Sequence, residues 1–576
     1  MGKNREIGEI FDNIADMLDI LEENQFRVRA YRNAARNIEE LGDDIEEVAE
    51  RDELTEIPGV GPDLADKIRE YIATGNIKDY EDLKKKVPGG LVKLLAIQGL
   101  GPKTIGRLHR ELGVTNLEDL QRVLEGGEIL KLRGMGGKKV QDMKRGIAFL
   151  KQSGKRTLLG VAFPVAEEIL RQIEGIPGTD RTVVAGSFRR MKETVGDFDI
   201  LTIADNGEEV IENFTKLPPV KEVLTSGDTK GSVILKNGVQ VDLLVMKPDS
   251  YGAALVYFTG SRDHTIKLRT IAQRKGLRIN EYGIFRGDKK VAGETEEDVY
   301  EALGLPWMPP EIREDRGEIE AAFDGRLPNL VEPDDIKGDL HMHSKWSDGK
   351  GTIEEMVLSA KKMGYEYVAI TDHSPSSRIA GGLSVESLYE KKKEVEAVKK
   401  KVKGIKVLMG AEVDIKSDGS LDYPDDVLRD LDVVLVSIHS GFKMDRDSMT
   451  ARIIKAVKNP LSHVLTHPTG RLIGEREAYQ VDIDEVIRAV KKYGKAIEVN
   501  SHYMRLDLND INVKKAIDSG TKILISTDSH HPNHLGMMRL GVATARRGWA
   551  GKEDVLNTVP FDELSKWLSE VRNSRD

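Results

Sequence analysis

The sequence has no cysteine and no long apolar run. The absence of cysteine from all 576 residues excludes disulfides, thiolate metal sites and cysteine nucleophiles, so histidine, aspartate and glutamate must hold any bound metal. No apolar stretch approaches the ~20 residues needed to cross a bilayer, and the amino terminus follows an amphipathic helical pattern instead of a signal-peptide pattern. We therefore expect a cytoplasmic protein with no membrane partner.

Acidic residues outnumber basic residues overall, but one segment carries a net positive charge. The formal net charge of −10 disfavours a nucleic-acid partner, because such binding draws on lysine and arginine facing phosphates. Between Lys84 and Leu150, however, fourteen Lys and Arg stand against six Asp and Glu. This excess indicates either a solvated helix face or a contact with a polyanion.

The length of the chain predicts several domains, since one hydrophobic core rarely serves more than about 300 residues. Short amphipathic helices joined by glycine turns fill residues 1–150, and β-rich runs follow from about 156 to 250. Five of the twenty prolines lie between Pro306 and Pro333, which predicts a linker before a segment of alternating strands and helices. The predicted divisions are 1–83, 84–153, 154–250, 251–315, 316–336 and 337–576.

Three glycine turns in the helical region are alike and form a degenerate repeat. Such a turn presents backbone N–H groups and a helix amino terminus to one phosphate without reading bases. Two copies lie in the basic segment, which favours a DNA contact over a solvated face. The turns occupy 57–62, 97–102 and 132–137, and their glycines are Gly59, Gly61, Gly99, Gly101, Gly134 and Gly136.

After residue 336, apolar strands alternate with helices in seven units, which predicts a parallel α/β barrel. Ten of the twelve histidines follow residue 340, and most stand where a strand ends, at the edge where barrel enzymes build their sites. Nine ligands exceed the needs of one tetrahedral ion, so we expect two or three ions, a number suited to phosphoester hydrolysis. The nine are His341, His343, Asp348, His373, Glu412, His439, His467, Asp528 and His530.

The motifs His-x-His-Ser, Thr-Asp-His and Thr-Asp-Ser-His resemble those of the PHP (polymerase and histidinol phosphatase) family of metallophosphoesterases. The resemblance covers about 336–576 and implies a distorted (β/α)7 barrel whose nine residues bind Mn²⁺ or Zn²⁺. Arg505 matches a further family segment and could hold a phosphate or form a surface salt bridge. In related fusions the barrel is a 3′-5′ exonuclease, sometimes with abasic-site endonuclease activity. A 3′-phosphatase or small-molecule phosphatase would need the same metals.

A second candidate site combines three aspartates with a Gly-Ser turn. Asp197 and Asp199 share one face of an extended strand and can converge on one ion, and Asp242 stands in a neighbouring apolar β-run. Oxygen ligands suit Mg²⁺ carried by a triphosphate. In and beside the preceding turn, Ser187 and Arg190 can clamp phosphate oxygens.

This arrangement resembles the nucleotidyltransferase superfamily, and the segments 257–261 and 280–285, with the helix-hairpin-helix turns, resemble family X DNA polymerases. The resemblance implies that two Mg²⁺ or Mn²⁺ ions bind Asp197, Asp199 and Asp242, and that Asp242 helps to activate the primer 3′-hydroxyl. It also implies that Tyr257 and Phe258 line the sugar pocket. The implied nucleotide-binding residues are Gly186, Ser187, Arg190, Gly196, Tyr257, Phe258, Gly260 and Asn280.

The same resemblance assigns the predicted divisions to a multidomain chain of α+β and α/β character. Residues 1–83 would be an 8-kDa-like domain with the first helix-hairpin-helix, and 84–153 a fingers-like domain with the other two. A polymerase beta-like palm, 154–250, and a small thumb, 251–315, would precede the linker and the barrel. One departure is Val195, where vertebrate repair enzymes carry a serine that contacts the triphosphate; Lys192 could replace that contact.

The helix after the first glycine turn carries Lys67, at the position where vertebrate members form a Schiff base with an abasic sugar. Asp63 replaces a supporting lysine here. An amine attacks an aldehyde only when its pKa is lowered, and neighbouring cations, not carboxylates, lower it. Lyase activity and a plain exposed helix lysine are both open interpretations.

Together these features predict a monomeric DNA polymerase that fills short gaps in repair of the base-excision type, with a metal-dependent exonuclease in its barrel. Its partners would be gapped or primer-template DNA and deoxynucleoside triphosphates. A rival hypothesis is a DNA-binding adaptor with a vestigial polymerase core. The intact set of three aspartates disfavours it.

Overall fold

The computed structural model describes residues 3–39, 41, 44–96, 100–132, 135, 136, 140, 143 and 156–573. In these parts of the chain a helical region is followed by a mixed sheet, a small unit of helices and a hairpin, and a parallel barrel. Among their helices, none combines the length and the apolar character that a membrane crossing requires.

The amino-terminal region consists of short helices around two hydrophobic cores. In the first core Phe11 packs edge-on against Tyr31, with ring centroids 5.4 Å apart. Met17 and Ile20, at the end of the first helix, belong to the second core and join the two clusters. The helices are α1 (Lys3–Ile20), α2 (Gln25–Glu39), α3 (Ile45–Glu50), α4 (Pro62–Thr74), α5 (Lys78–Lys86), α6 (Gly89–Lys93), α7 (Pro102–Leu112) and α8 (Leu117–Glu125).

Residues 157–246, where a palm is predicted and which keep that name below, contain a five-stranded sheet. The strand order is β2-β4-β7-β6-β5, and only the neighbouring strands β4 and β7 are parallel. Its core includes Phe188, Phe198 and Phe214. A separate two-residue pair joins β1 to β3. The strands are β1 (Thr157–Leu158), β2 (Asp180–Val184), β3 (Thr194–Val195), β4 (Asp197–Ile203), β5 (Val220–Ser226), β6 (Lys230–Leu235) and β7 (Gln240–Met246); the helices are α9 (Leu159–Glu174), α10 (Gly186–Arg189) and α11 (Gly207–Thr215).

The thumb is built from helices and a small antiparallel sheet. It contains α12 (Tyr251–Thr259), α13 (Arg262–Arg274), β8 (Arg278–Asn280), β9 (Gly283–Arg286), β10 (Lys289–Ala292) and α14 (Glu296–Ala302). The predicted linker at 316–336 contains a short helix, α15 (Glu318–Phe323), which packs Ile319 and Ala322 into the thumb core. The prolines of this region thus lie on either side of a short helix whose apolar residues are buried.

The carboxyl-terminal half confirms the predicted barrel of seven parallel strands, which follow each other in sequence order around the sheet. A parallel bridge between Met342 and Ser529 joins its first and last strand regions. The strands are β11 (Gly338–Asp339), β12 (Tyr367–Ile370), β13 (Lys406–Asp414), β14 (Val433–Ser437), β15 (Val464–Leu465), β16 (Ala496–Asn500) and β17 (Lys522–Ser526). The helices are α16 (Ile353–Lys362), α17 (Val385–Lys401), α18 (Asp425–Arg429), α19 (Arg446–Lys458), α20 (Ile483–Lys492), α21 (Asp510–Ser519), α22 (Met538–Arg547) and α23 (Phe561–Asn573).

The palm and the barrel share a hydrophobic core. Leu506 and Leu540, from the barrel half of the chain, are 1% and 3% exposed and belong to the palm's cluster, with Tyr503 packed beside them. At the rim of this contact, Arg471 of the barrel pairs with Glu193 of the palm at 2.7 Å. The two domains are therefore joined by buried apolar surface as well as by the chain that connects them.

Candidate active sites

The three palm aspartates meet at the end of the central parallel strands. Asp199 on β4 stands directly opposite Asp242 on β7 in the ladder, and Asp197 precedes it on the same face. Asp242 is held by neighbours, since its Oδ1 accepts hydrogen bonds from Ser232 Oγ at 2.5 Å and Gln240 Nε2 at 2.9 Å. The prediction that these carboxylates share one site is consistent with this register.

The charges of these aspartates indicate a cation site. Burial, together with repulsion from Asp197 and Asp242, raises the pKa of Asp199 to about 6. Burial and Asp242 also raise the pKa of Asp197. Clustered carboxylates that disfavour each other's ionisation in this way would be stabilised by a divalent ion, and oxygen donors suit Mg²⁺ or Mn²⁺.

The Gly-Ser turn stands against β4 and cannot accept a side chain at its first residue. Gly186 has φ +60°, and a Cβ there would lie 2.4 Å from Asp199 Oδ2. The Ala185 N–H, just before it, donates to the Asp199 carbonyl at 2.6 Å. Any side chain at Gly186 would therefore displace the aspartate that it touches.

Replacing Gly186 with alanine should lower nucleotide incorporation by about 10²-fold, because a shift of about 1 Å at a reacting group can cost that much. Gly178→Ala is the matched control: Gly178 also has a positive φ, +86°, but open space where its Cβ would lie. Primer-extension rates of both variants measure the difference. Equal losses in the two would mean that backbone strain, and not the contact with Asp199, is responsible.

The predicted phosphate-clamping arginine is tied to the thumb. Arg190 Nε donates to Glu314 Oε1 at 3.0 Å, and its Nη1 donates to the Thr259 carbonyl at 2.5 Å. Thr259 ends α12, the helix that carries Tyr257 and Phe258, whose rings form an edge-to-face pair 5.2 Å apart. The structure thus brings the end of α12 close to the Gly-Ser turn. This proximity is expected if the helix and the turn line one nucleotide pocket.

The remaining predicted nucleotide-binding residues, Gly260, Gly196 and Asn280, lie in three places. Gly260 has φ +70°, and its Cβ would be 3.1 Å from Arg190 Nη1, so it belongs to the same junction. Gly196 lies beside Arg156, whose Nη1 is 3.3 Å from the position of a Cβ. Asn280, by contrast, ends β8 on the thumb hairpin, where its Oδ1 accepts from the Tyr282 N–H at 3.0 Å.

The barrel brings the predicted metal ligands together. In the described part of the chain, three groups have ligand atoms within 4.8 Å of one another: His343, Asp348, His373 and His530; His341, His343 and Asp528; and His373, Glu412 and His439. His467, the ninth predicted ligand, reaches the same place, with its Nε2 2.8 Å from Glu412 Oε1. Shared residues link the groups into one centre.

Buried donor atoms without partners mark this centre as a metal site. Among the described residues, His341 Nε2, both ring nitrogens of His343, His373 Nδ1, Glu412 Oε2 and His467 Nδ1 are buried without a hydrogen bond. Unpaired buried polar atoms are costly unless something binds them. The donor set, imidazole with carboxylate, suits a divalent ion such as Zn²⁺ or Mn²⁺.

The two central carboxylates are held in their charged form. Burial alone would raise the pKa of Glu412, but the surrounding His373, His439 and His341 lower it well below 4.5. In the same way His341 and neighbouring histidines lower the pKa of Asp528 well below 3.8 against its burial. Both carboxylates are therefore charged at neutral pH, which is the form that would bind a divalent ion.

Sequence reasoning missed the carboxylates that orient the ligands. His341 Nδ1 lies 2.6 Å from Glu498 Oε1, and His439 Nδ1 lies 2.6 Å from Asp414 Oδ1. Such partners fix the ring and leave its other nitrogen toward the metal. A signal was present: Glu498 interrupts the apolar run of β16, and Asp414 stands two residues after Glu412 on β13.

A cavity of about 480 Å³ opens over the metal centre. Its lining includes His439, Asp528 and Arg505, and the Arg505 guanidinium lies with Nε 3.6 Å from Asp528 Oδ2. Arg505 therefore does not form a surface salt bridge, because its side chain is only 19% exposed and lies beside the predicted metal ligand Asp528. The Arg505 guanidinium is thus placed to pair with a phosphate oxygen bound in this cavity.

The described glycine turns stand at helix amino termini, as the repeat predicted. Gly61 precedes α4 and Gly101 precedes α7; each is followed by proline, and a Cβ at either would meet nothing within 4 Å. Gly59 has φ +83°, and Gly136 also faces open space. Gly99 and Gly134 lie outside the described residues. The open sides of Gly61 and Gly101 leave room for a phosphate beside the backbone.

Lys67 is less exposed and more tightly paired than a plain helix lysine. Its side chain is 11% exposed, with Nζ 2.6 Å from Asp63 Oδ1 and 3.4 Å from Asp79 Oδ2. Burial would lower the pKa of Lys67, but the hydrogen bond to Asp63, with Tyr31 and Asp79, raises it above 10.5. Asp66 pairs with Arg69 instead.

Because the pKa of Lys67 is raised, its amine is protonated at neutral pH, and borohydride trapping on abasic DNA should increase about tenfold per pH unit between 7 and 9. Asp63→Asn removes the hydrogen bond and should increase trapping at pH 7. Asp66→Asn is the control, because that carboxylate pairs with Arg69. Strong trapping at pH 7 in the unaltered protein would contradict the conclusion that the pairing with Asp63 keeps the Lys67 amine protonated.

Comparison with known families identifies all the domains described above except the palm. Residues 254–314 match the family described as DNA polymerase beta thumb, and 339–502 match the PHP domain. The amino-terminal region matches a helix-hairpin-helix domain over 2–77 and a SAM-like helix-hairpin-helix tandem over 91–148.

Three relatives match all or part of the chain. The chain is 38% identical over 571 residues to the Bacillus subtilis (strain 168) protein named DNA polymerase/3'-5' exonuclease PolX, covering 98% of this chain and 99% of that one. It is 27% identical over 347 residues to DNA polymerase lambda of Arabidopsis thaliana, covering 54% and 62%. A probable phosphatase of Caldicellulosiruptor bescii is 37% identical over 213 residues, covering 35% and 82%. The chain belongs to the family X DNA polymerases that carry a C-terminal PHP domain.

Proposed function

We propose that this protein fills short gaps in DNA at its palm and removes nucleotides from 3′ ends at its barrel. The observation that carries the first activity is the direct pairing of Asp199 with Asp242 at the edge where the Gly-Ser turn stands. The near full-length relative whose name includes both activities supports the combination. Gapped or primer-template DNA and deoxynucleoside triphosphates are the proposed partners.

In the palm, Asp197, Asp199 and Asp242 would hold two Mg²⁺ or Mn²⁺ ions, which supply the positive charge that phosphoryl transfer requires. Ser187 and Arg190 hold oxygens of the triphosphate. Asp242 receives the proton of the primer 3′-hydroxyl as that oxygen attacks the α-phosphate and pyrophosphate leaves. Ser232 and Gln240 keep this carboxylate oriented through the bonds to its Oδ1.

In the barrel, the nine predicted ligands would hold two or three Mn²⁺ or Zn²⁺ ions, which activate water and neutralise the phosphodiester. Arg505 contributes a positive charge at the cavity and orients the phosphate. Glu498 and Asp414 keep His341 and His439 in one orientation. We further propose repair of the base-excision type, abasic-site cleavage by the barrel, a monomeric state and a cytoplasmic location.

A phosphatase activity is the second candidate for the barrel. Its support is the probable phosphatase relative, whose match of 213 residues has the size of the barrel. The same ligand centre and the same cavity would serve a terminal phosphate and a diester. The two activities differ only in the bond that is hydrolysed, so substrates must separate them.

A 5′-labelled primer in a one-nucleotide gap tests both proposals. With the four deoxynucleoside triphosphates and Mg²⁺ the primer should grow by one residue, and without nucleotides and with Mn²⁺ it should shorten. A second primer ending in 3′-phosphate should be shortened only slowly if the barrel is an exonuclease. Loss of the phosphate with no shortening of either primer would favour the phosphatase, and no growth at all would refute the polymerase.

A further inference from the structure

Two arginines from different domains share one glutamate near the Gly-Ser turn of the palm. Glu314 Oε1 accepts from Arg190 Nε at 3.0 Å and from Arg547 Nη1, also at 3.0 Å. Arg547 belongs to α22 of the barrel, and its Nη1 also donates to the Arg190 carbonyl at 2.6 Å. A barrel residue thus touches both the backbone and the ion-pair partner of a predicted triphosphate ligand.

Arg547 is fixed from its other side as well. Its Nη2 and Nε donate to Asp510 Oδ2 at 2.7 and 3.1 Å, and Arg316 Nη1 donates to the same oxygen at 3.0 Å. The side chain is 3% exposed. Because all its partners are buried or half-buried, its planar fork holds Glu314 and Asp510 in one arrangement that lysine could not reproduce.

The junction surrounds a cavity of about 480 Å³ with a positively charged lining. The palm contributes Ser187, Arg190 and Lys192 to its lining, and the barrel contributes Asp510 and Arg547. The pKa of Lys192 is lowered, chiefly by burial and also by the neighbouring Arg547 and Arg190. Glu314 opposes this shift only in part. Positive charge in excess of the local acids suits an anion such as the phosphate tail of a nucleotide.

We propose that Arg547 is a positioning residue of the polymerase site, through which the barrel sets the affinity of the palm for the triphosphate. This inference rests on the proposed polymerase function. Arg547 acts through Arg190: it holds the carbonyl of Arg190 and orients Glu314, which in turn holds the Arg190 guanidinium in the cavity that Ser187 also lines. The barrel is then a structural part of the nucleotide site in addition to having its own chemistry.

Kinetics of one-nucleotide gap filling by the full chain test this role. In Arg547→Gln, KM for the incoming nucleotide and the inhibition constant of inorganic pyrophosphate should both rise about tenfold, since displacement of a binding group by a fraction of an ångström has effects of this order. Both kcat at saturating nucleotide and the rate of 3′-end degradation should stay within about twofold. Arg547→Lys keeps the charge but loses the planar fork, so its KM and pyrophosphate inhibition constant should lie between those of the unaltered protein and Arg547→Gln.

Arg546→Gln is the matched control. Arg546 is the preceding residue of α22 and forms comparable ion pairs, at 2.8 Å with Glu311 and 2.5 Å with Glu332, without a bond to Arg190. An unchanged KM in Arg547→Gln, or an equal rise in both variants, would overturn the inference. If Arg547→Gln does not fold, Asp510→Asn replaces it with the same criteria. Absence of incorporation by the unaltered protein would refute the polymerase function instead.

Discussion

Replacement of Asp199 by asparagine should abolish nucleotide incorporation while degradation by the barrel continues. Asp199 stands opposite Asp242 in the ladder, and its raised pKa reflects the burial and the repulsion that a divalent ion would relieve. Asparagine keeps the size of the side chain but removes the charge and one anionic oxygen. We expect a loss of about 10³-fold or more in kcat/KM, equivalent to about 4 kcal/mol of transition-state stabilisation.

Primer extension and 3′-end shortening, measured on one preparation, separate this effect from misfolding. Asp205→Asn is the matched control, since Asp205 follows β4 and is exposed. The substitution also relieves repulsion among the three clustered carboxylates, so the melting temperature should not fall. Incorporation within about tenfold of the unaltered protein would show that Asp199 lies outside the reacting centre, given the several kcal/mol expected of a lost metal ligand.

Replacement of Glu412 by glutamine should abolish hydrolysis at the barrel while incorporation continues. Glu412 lies within 3.5 Å of five histidines, which are His341, His343, His373, His439 and His467. No other described ligand pairs with so many. Glutamine keeps the shape, loses the anion and presents an amide N–H₂ to one side. We expect a loss of about 10³-fold in 3′-end degradation.

Metal content provides a second measurement for Glu412→Gln that does not depend on activity. The purified variant should hold at least one equivalent of Mn²⁺ or Zn²⁺ less than the unaltered protein. A chelator should lower the melting temperature of the unaltered protein more than that of the variant, because bound ions stabilise the folded state. Asp418→Asn, at an exposed residue of the following loop, is the control. Full metal content with normal degradation would refute the assignment.

Strand periodicity in the sequence explains why most of the residues predicted for the two candidate sites come together in the structure. Asp197 and Asp199 are two apart on β4, and the barrel ligands stand where successive strands end, so local pattern places them on one face or one edge. The parallel register then brings Asp242 to Asp199. Eight of the nine barrel ligands fall within the three groups of atoms described above, and His467 joins them through Glu412.

What the sequence did not predict depends on contacts between distant segments. Glu498 meets His341 across 157 residues, and Arg547 meets Arg190 across 357. No periodicity links such residues, because their meeting depends on how domains pack and not on how one strand runs. The short helix α15 within the predicted linker depends on such contacts too, because its apolar residues Ile319 and Ala322 pack against the thumb.

The shared core of palm and barrel has a consequence for how such a fusion can evolve. Leu506 and Leu540 are buried in the palm's cluster, so a chain cut near residue 336 would leave each half with an uncovered apolar patch, and such patches promote aggregation. Loss of the barrel by a single deletion would then be selected against for reasons of solubility, even in a cell that no longer needed its hydrolytic activity. Descendants that did lose it would be expected to carry polar replacements on the exposed palm face.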